Sequence, residues 1–424
     1  MKRHVITLIV LASAVLLPVI RDAAPAWPLD GFEVTGIGRL QDTRPLTEGG
    51  AAASALPGGA LLTTEQVDIR LTDHPDLTLP PVDEDLTRRI LNFLGQDADR
   101  YSISVPDLSD PGAPRYAEYR AGERINPGSV GKLVVALAIF QLLADLYPDD
   151  TAARQRLLHE TVVTADDFIL YDSHPVRIRD PASGRLVSRR LRIGDRGNLW
   201  EFLDWMLSAS SNAAASMVIK QGMLLKRFGR AYPVSREVQD RFFQATPKQQ
   251  LSNILAEVLQ TPVTRNGLDL TRLRQGSFFT AMAKKHIPGT SSYATSRELM
   301  RYLLKLEEGR LVDEFSSRQI KRLLYLTERR IRYASAPALR NAAVYFKSGS
   351  LYQCRPEPEF TCRKYHGNVR NMMNSVAIIE APAGERKLFY MVTLMSNVLR
   401  KNSAVEHQTL AMRIHRLMER DHAK

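Results

Sequence analysis

The spacing of apolar positions changes four times along this chain, and each change marks a boundary in the predicted fold. In "VDEDLTRRILNFLG" apolar residues recur every three to four positions, which predicts an amphipathic helix with Asp83 and Asp85 near its start and Gly95 near its end. "YSISVPDL" and "RYAEYRAG" follow as short runs with the look of paired strands. Helical spacing then returns in "GNLWEFLDWMLSAS", "KQQLSNILAEVLQ" and "TSRELMRYLLKLEEGRL". A charged excursion, "DSHPVRIRDPASGRLVSRRLRIGDRG", precedes the first of these and predicts a surface hairpin with turns at Asp180-Pro181 and Ser183-Gly184. In the C-terminal part, "AAVYFKSGSLY", "NSVAIIEA" and "KLFYMVTLMS" predict strands, and "AVEHQTLAMRIHRLMER" a closing amphipathic helix. This order predicts an α+β fold. Its antiparallel sheet draws on both chain ends (about 82–127 and 335–424) and is flanked by helices, with an all-helical subdomain inserted at about 128–334.

Two segments precede this domain of residues 82–424. Lys2, Arg3 and His4 lead into an apolar stretch from Val5 to Ile20, and Ala24-Pro25-Ala26 supplies a small-residue site, the layout of a signal peptide over residues 1–26. An exported, periplasmic protein is expected, with an uncleaved anchor as the alternative. Residues 27–81, rich in Gly, Ala, Pro and Thr, predict a lead segment or linker.

Composition narrows the partners. The net charge of +12, or +10 without the first 26 residues, allows association with an anionic cell envelope. The basic residues are scattered and lack nucleic-acid motifs, so no nucleic-acid partner is expected. The nine histidines are dispersed, so neither a metal nor a cofactor is expected. The two cysteines, Cys354 and Cys362, predict a small structural disulfide loop in an oxidising compartment. Oligomeric state is not legible.

Three short constellations carry candidate chemistry. In "INPGSVGKLVVALAIFQLL" the Asn126-Pro127-Gly128 turn delivers Ser129 to the start of an apolar core helix, and Lys132, three residues on, shares its face and heads inward. In "SASSNAAAS", Ser210 and Asn212 follow a helix; they can bond a buried lysine and a substrate amide, or simply cap and turn. In Lys347-Ser348-Gly349-Ser350, a glycine inside a strand marks close approach by a ligand or another backbone, or else a bulge beside a snorkelling lysine.

In this order, SxxK, SxN and K(S/T)G resemble the motif triple of serine β-lactamases and penicillin-binding proteins, and the arrangement is most similar to class A β-lactamases. The resemblance runs from about Val82 to the C-terminus. It implies Ser129 as nucleophile, Lys132 as its proton acceptor and Ser210 as relay to the leaving nitrogen. It further implies Asn212 on the substrate's side-chain amide, Lys347 and Ser348 facing the substrate carboxylate, and the backbone N–H groups of Ser129 and Ser350 as the oxyanion hole. Gly349 completes the motif. The implied substrate is a β-lactam or a peptidoglycan-like D-alanyl peptide. One family feature is missing: no ExxLN glutamate is evident, and its place falls near Met282, with Glu257, Asp166 and Asp167 as imperfect substitutes. Slow deacylation is therefore expected. A non-catalytic envelope-binding protein of the same fold and a Ser-Lys esterase are the competing readings.

Overall fold

The computed structural model describes residues 34–40, 59, 62–180, 183–327 and 331–423. The expected signal peptide lies outside these. A five-stranded sheet is built from β1 (Tyr101–Asp107), β2 (Arg115–Tyr119), β3 (Ala343–Gln353), β4 (Arg370–Ala381) and β5 (Leu388–Asn397). Its order is β2-β1-β5-β4-β3, antiparallel throughout, so the two chain ends meet where β1 pairs with β5. The edge strand β3 carries the Lys347 motif.

Both faces of this sheet are covered, which explains the nearly unbroken apolar runs of its long strands. Val344, Phe346, Ala377, Ile379 and Val392 pack with the closing helix Ser403–Asp421 and the helix Glu84–Leu91. Their neighbours in alternation, Ala343, Tyr345, Val376, Ile378 and Met391, face the helical part of the chain. Lys347 and Gly349 continue that inward face by period 2.

The inserted part centres on α1 (Lys132–Leu146), in which every residue from Lys132 to Leu143 is buried. Gly128–Leu146 is long and apolar enough to cross a membrane, but here it is wrapped by α2 (Leu199–Leu207), α3 (Asn212–Phe228) and α4 (Lys248–Arg265). The expectation of an all-helical insert needs correction. It carries three two-stranded ribbons: Val162–Thr164 with Arg196–Asn198, Val176–Arg179 with Leu186–Arg189, and Leu273–Arg274 with Tyr293–Ala294. The second is the expected charged hairpin. Val176 and Ile178 turn inward, Asp180 accepts the Ser183 N–H, and Gly184 takes φ +66°.

Residues 62–81 also differ from the expected linker. Leu62, Val67, Ile69 and Leu71 are buried in the main core, because each finds an apolar partner that a composition count does not see. Lys321 is fully buried between Glu307 and Glu380, and it donates to the Asp68 carbonyl. Upstream, Arg39 forms a two-pronged pair with the fully buried Asp204 at 2.7 and 2.8 Å. Arg39→Met should therefore cost about 3–5 kcal/mol, because it strands a buried carboxylate. Denaturant unfolding checks this; a loss below about 1 kcal/mol would mean that this segment only leans on the body.

Candidate active site

Ser129 sits on a 3-10 turn, Gly128–Gly131, one step before α1 begins at Lys132. Gly128 takes φ +53°, and its N–H is held by the Asn126 side chain, so the chain reverses sharply into the turn. The edge strand presses against this reversal. A Cβ on Gly349 would meet the Pro127 carbonyl at 2.4 Å and the Ser129 nitrogen at 2.8 Å, so only glycine lets the two backbones approach so closely. Between the two readings of Gly349, close backbone approach is the one realised. Pairing with β4 continues without a break from Ala343 to Gln353, and no bulge is present.

Lys132 is fully buried, with its Nζ 2.9 Å from Ser129 Oγ, 2.9 Å from the Ser210 carbonyl and 2.8 Å from Asn212 Oδ1. A neutral amine has two N–H donors and one lone pair. Given to Ser210 O and Asn212 Oδ1, the donors leave the lone pair for the Ser129 hydroxyl. Burial supplies that neutral form by bringing the amine down to about 7, against the opposing charge of Asp172. The Phe279 ring lies 4.7 Å from the nitrogen and helps keep water away.

Ser210 takes φ +59° in the turn between α2 and α3, and its Oγ lies 3.5 Å from Lys132 Nζ and 2.8 Å from Lys347 Nζ. It thus stands between the two amines. Burial, then the charges of Lys132 and Arg332, push Lys347 well below its ordinary value. The capping role falls to Ser211, whose hydroxyl accepts the Ala214 N–H while Ser210 and Asn212 turn to the site.

Three contributors had no sequence signal. Asp172 accepts from Ser211 Oγ, the Ala213 N–H and the backbone of His174, and pairs with the His174 ring at 2.6 Å. Burial alone would raise its carboxyl, but the bonds from His174 and Ala213 hold it far below the usual range. Arg332 donates to Ser348 Oγ at 2.6 Å, Ser350 Oγ at 3.3 Å and Tyr365 Oη at 2.8 Å. Gln275 lies against Gly131, where a Cβ would stand 2.1 Å from its Oε1. Each of the three bridges separate segments: Asp172 to Ser211 and Ala213, Arg332 to Ser348 and Tyr365, and Gln275 to Gly131.

These groups line a cleft of about 900 Å³. Ser129, Ser210, Asn212, Lys347, Ser348, Gly349 and Ser350 all border it, and Lys132 lies beneath Ser129. The Cys354–Cys362 disulfide is formed, and the loop it staples runs on to Lys364 and Tyr365 on the cleft wall. A profile of the β-lactamase enzyme family matches residues 85–416. The chain belongs to that family.

The fold of this β-lactamase-family chain is similar to that of solved relatives. A β-lactamase from Sphaerobacter thermophilus DSM 20745 aligns with a TM-score of 0.52 at 13% identity, covering 80% of this chain and 98% of that one. A β-lactamase from Chitinophaga pinensis DSM 2588 aligns at 0.50 and 14% identity, over 80% and 100%. The L158E mutant of PBP-A, solved as an acyl-enzyme complex with penicillin G, aligns at 0.49 and 13% identity, over 81% and 100%. No curated protein matches the chain in sequence.

The substitutes for the family's Ω-loop glutamate stand elsewhere. Glu257 is exposed and pairs with Lys226 at 3.3 Å. Asp166 is bound to Lys220, and Asp167 to His286 at 2.7 Å, around a separate pocket. None of the three borders the cleft, and no aspartate or glutamate is among the described residues that do.

Proposed function

We propose that this protein is an exported serine acyl-hydrolase or acyl-transferase that forms an acyl-enzyme at Ser129 with a β-lactam or a D-alanyl peptide. The observation that carries this reading is the buried Lys132 amine, brought to about 7 and placed 2.9 Å from Ser129 Oγ. Ser129 Oγ bonds to the carbonyl carbon as its proton passes to Lys132 Nζ. The carbon–nitrogen bond then breaks, and the leaving nitrogen takes a proton through Ser210 Oγ. The backbone N–H groups of Ser129 and Ser350 receive the developing oxyanion, where one donor is worth about 3 kcal/mol in the transition state. Asn212 faces the acyl side of the substrate. Ser348 and Arg332 face its carboxylate, which matches a guanidinium fork.

Slow deacylation belongs to the same reading, since no described carboxylate borders the cleft to activate a water. Export is supported by the N-terminal layout and by a disulfide suited to an oxidising compartment. Incubation with a penicillin should add one intact penicillin mass, retained for many minutes and mapped to the peptide bearing Ser129. Absence of any adduct would sink the acylation reading. An adduct lost within seconds, with the antibiotic consumed, would sink slow deacylation.

A further inference from the structure

The cleft as a whole is bordered by more basic side chains than one substrate carboxylate requires. Lys284, Arg332, Lys347 and Lys364 border the cleft, and no described aspartate or glutamate does. Two of these cations flank a single phenol: the Arg332 guanidinium lies 4.7 Å from the centre of the Tyr365 ring, and Lys364 Nζ lies 5.1 Å from it. Lys364 has no carboxylate partner among the described residues. Glu357, in the same loop, is taken by Arg400 at 2.6 Å.

This wall is also held in place. The Tyr365 carbonyl accepts from Ser403 N at 3.0 Å and Ser403 Oγ at 3.2 Å, and the His366 ring bonds to the Arg400 carbonyl at 2.8 Å. The Cys354–Cys362 disulfide closes the loop upstream. Burial raises the Tyr365 phenol, but Arg332 and Lys364 more than offset it and bring it below its ordinary value. An incoming carboxylate would meet the same field.

Resting on the acyl-transfer reading above, we infer that Arg332, Tyr365 and Lys364 form a second anion subsite, so that the preferred substrate carries two carboxylates on its leaving group. The first lies on Ser348 and the near side of Arg332. The second lies between the far side of Arg332, the Tyr365 hydroxyl and Lys364. A lysine exposed as Lys364 is binds weakly through charge alone, so the subsite adjusts preference and does not create activity.

The test compares two N-acetyl-D-alanyl thioesters, one with thioglycolate as leaving group (one carboxylate) and one with mercaptosuccinate (two). The full chain should favour mercaptosuccinate in kcat/KM by about fivefold at low salt. Lys364→Ala should bring the ratio close to one, and Lys364→Arg should keep it. Equal rates in the wild type, or a ratio indifferent to Lys364, overturn the subsite. Calorimetry on Ser129→Ala with N-acetyl-D-glutamate and N-acetyl-D-alanine reads binding without chemistry. If neither thioester reacts but the dianion binds more tightly through Lys364, the subsite stands and the acyl-transfer reading falls. Turnover of both thioesters with no preference does the reverse.

Discussion

Lys132→Met is expected to slow acylation of Ser129 by about a thousandfold and to erase its dependence on pH near neutrality. On the proposed acyl-transfer reading the base is the neutral amine, brought by burial to about 7, so acylation should fall about tenfold per pH unit below that value and level off above it. Methionine fills a similar volume at a fully buried position while removing the lone pair, so the comparison isolates the proton transfer. If Ser129 and Lys132 act as one unit, as proposed, Ser129→Ala with Lys132→Met should be no slower than Ser129→Ala alone. Rapid-mixing kinetics with a chromogenic cephalosporin from pH 5 to 9 reads all of this. A variant that keeps the wild-type pH profile would remove Lys132 from the base role.

The same substitution has a stability signature of definite sign. Between about 7 and 10.5 the unfolded chain holds a proton on Lys132 that the folded chain has released, so native stability rises with pH through that window. Lys132→Met removes this contribution. Denaturant unfolding at pH 7 and pH 9 separates the two proteins.

Gly349→Ala carries the second large effect. The new Cβ would stand 2.4 Å from the Pro127 carbonyl oxygen, 2.8 Å from the Ser129 nitrogen and 3.0 Å from the Val130 nitrogen. All three are backbone atoms, so relief requires moving β3 away from the turn that bears Ser129. A shift of about 1 Å in an oxyanion site costs roughly a hundredfold in rate, whereas the overpacking itself costs about 1–3 kcal/mol of stability. Gly122→Ala is the control, since a Cβ there meets nothing within 4 Å. Acylation by Gly349→Ala at more than a third of the wild-type rate would mean that the oxyanion site does not depend on this approach.

The sequence by itself determined the class of fold, the three motifs and their order. Helical spacing through "LWEFLDWML" and the apolar runs of β3 to β5 are local properties of a chain that must bury those faces. The disulfide was legible because a chain with two cysteines has one intramolecular pairing available. Tertiary structure alone decided which neighbours each motif would have. Taken segment by segment, Ser210 and Asn212 read first as a cap and Gly349 first as a bulge; only the bonds from Lys132 to the first pair and the Pro127–Val130 backbone against Gly349 place them in the site. Asp172, Gln275 and Arg332 entered the site with no local signature at all. Residues 62–81 looked like a spacer because composition counts residues and not partners, whereas the buried Lys321 pairs that hold them join Glu307 and Glu380 from separate elements. The physical reason is common to these cases. Periodicity reports what one segment must bury, while a desolvated amine, a positioned carboxylate or a close backbone approach exists only when segments distant in sequence exclude water together.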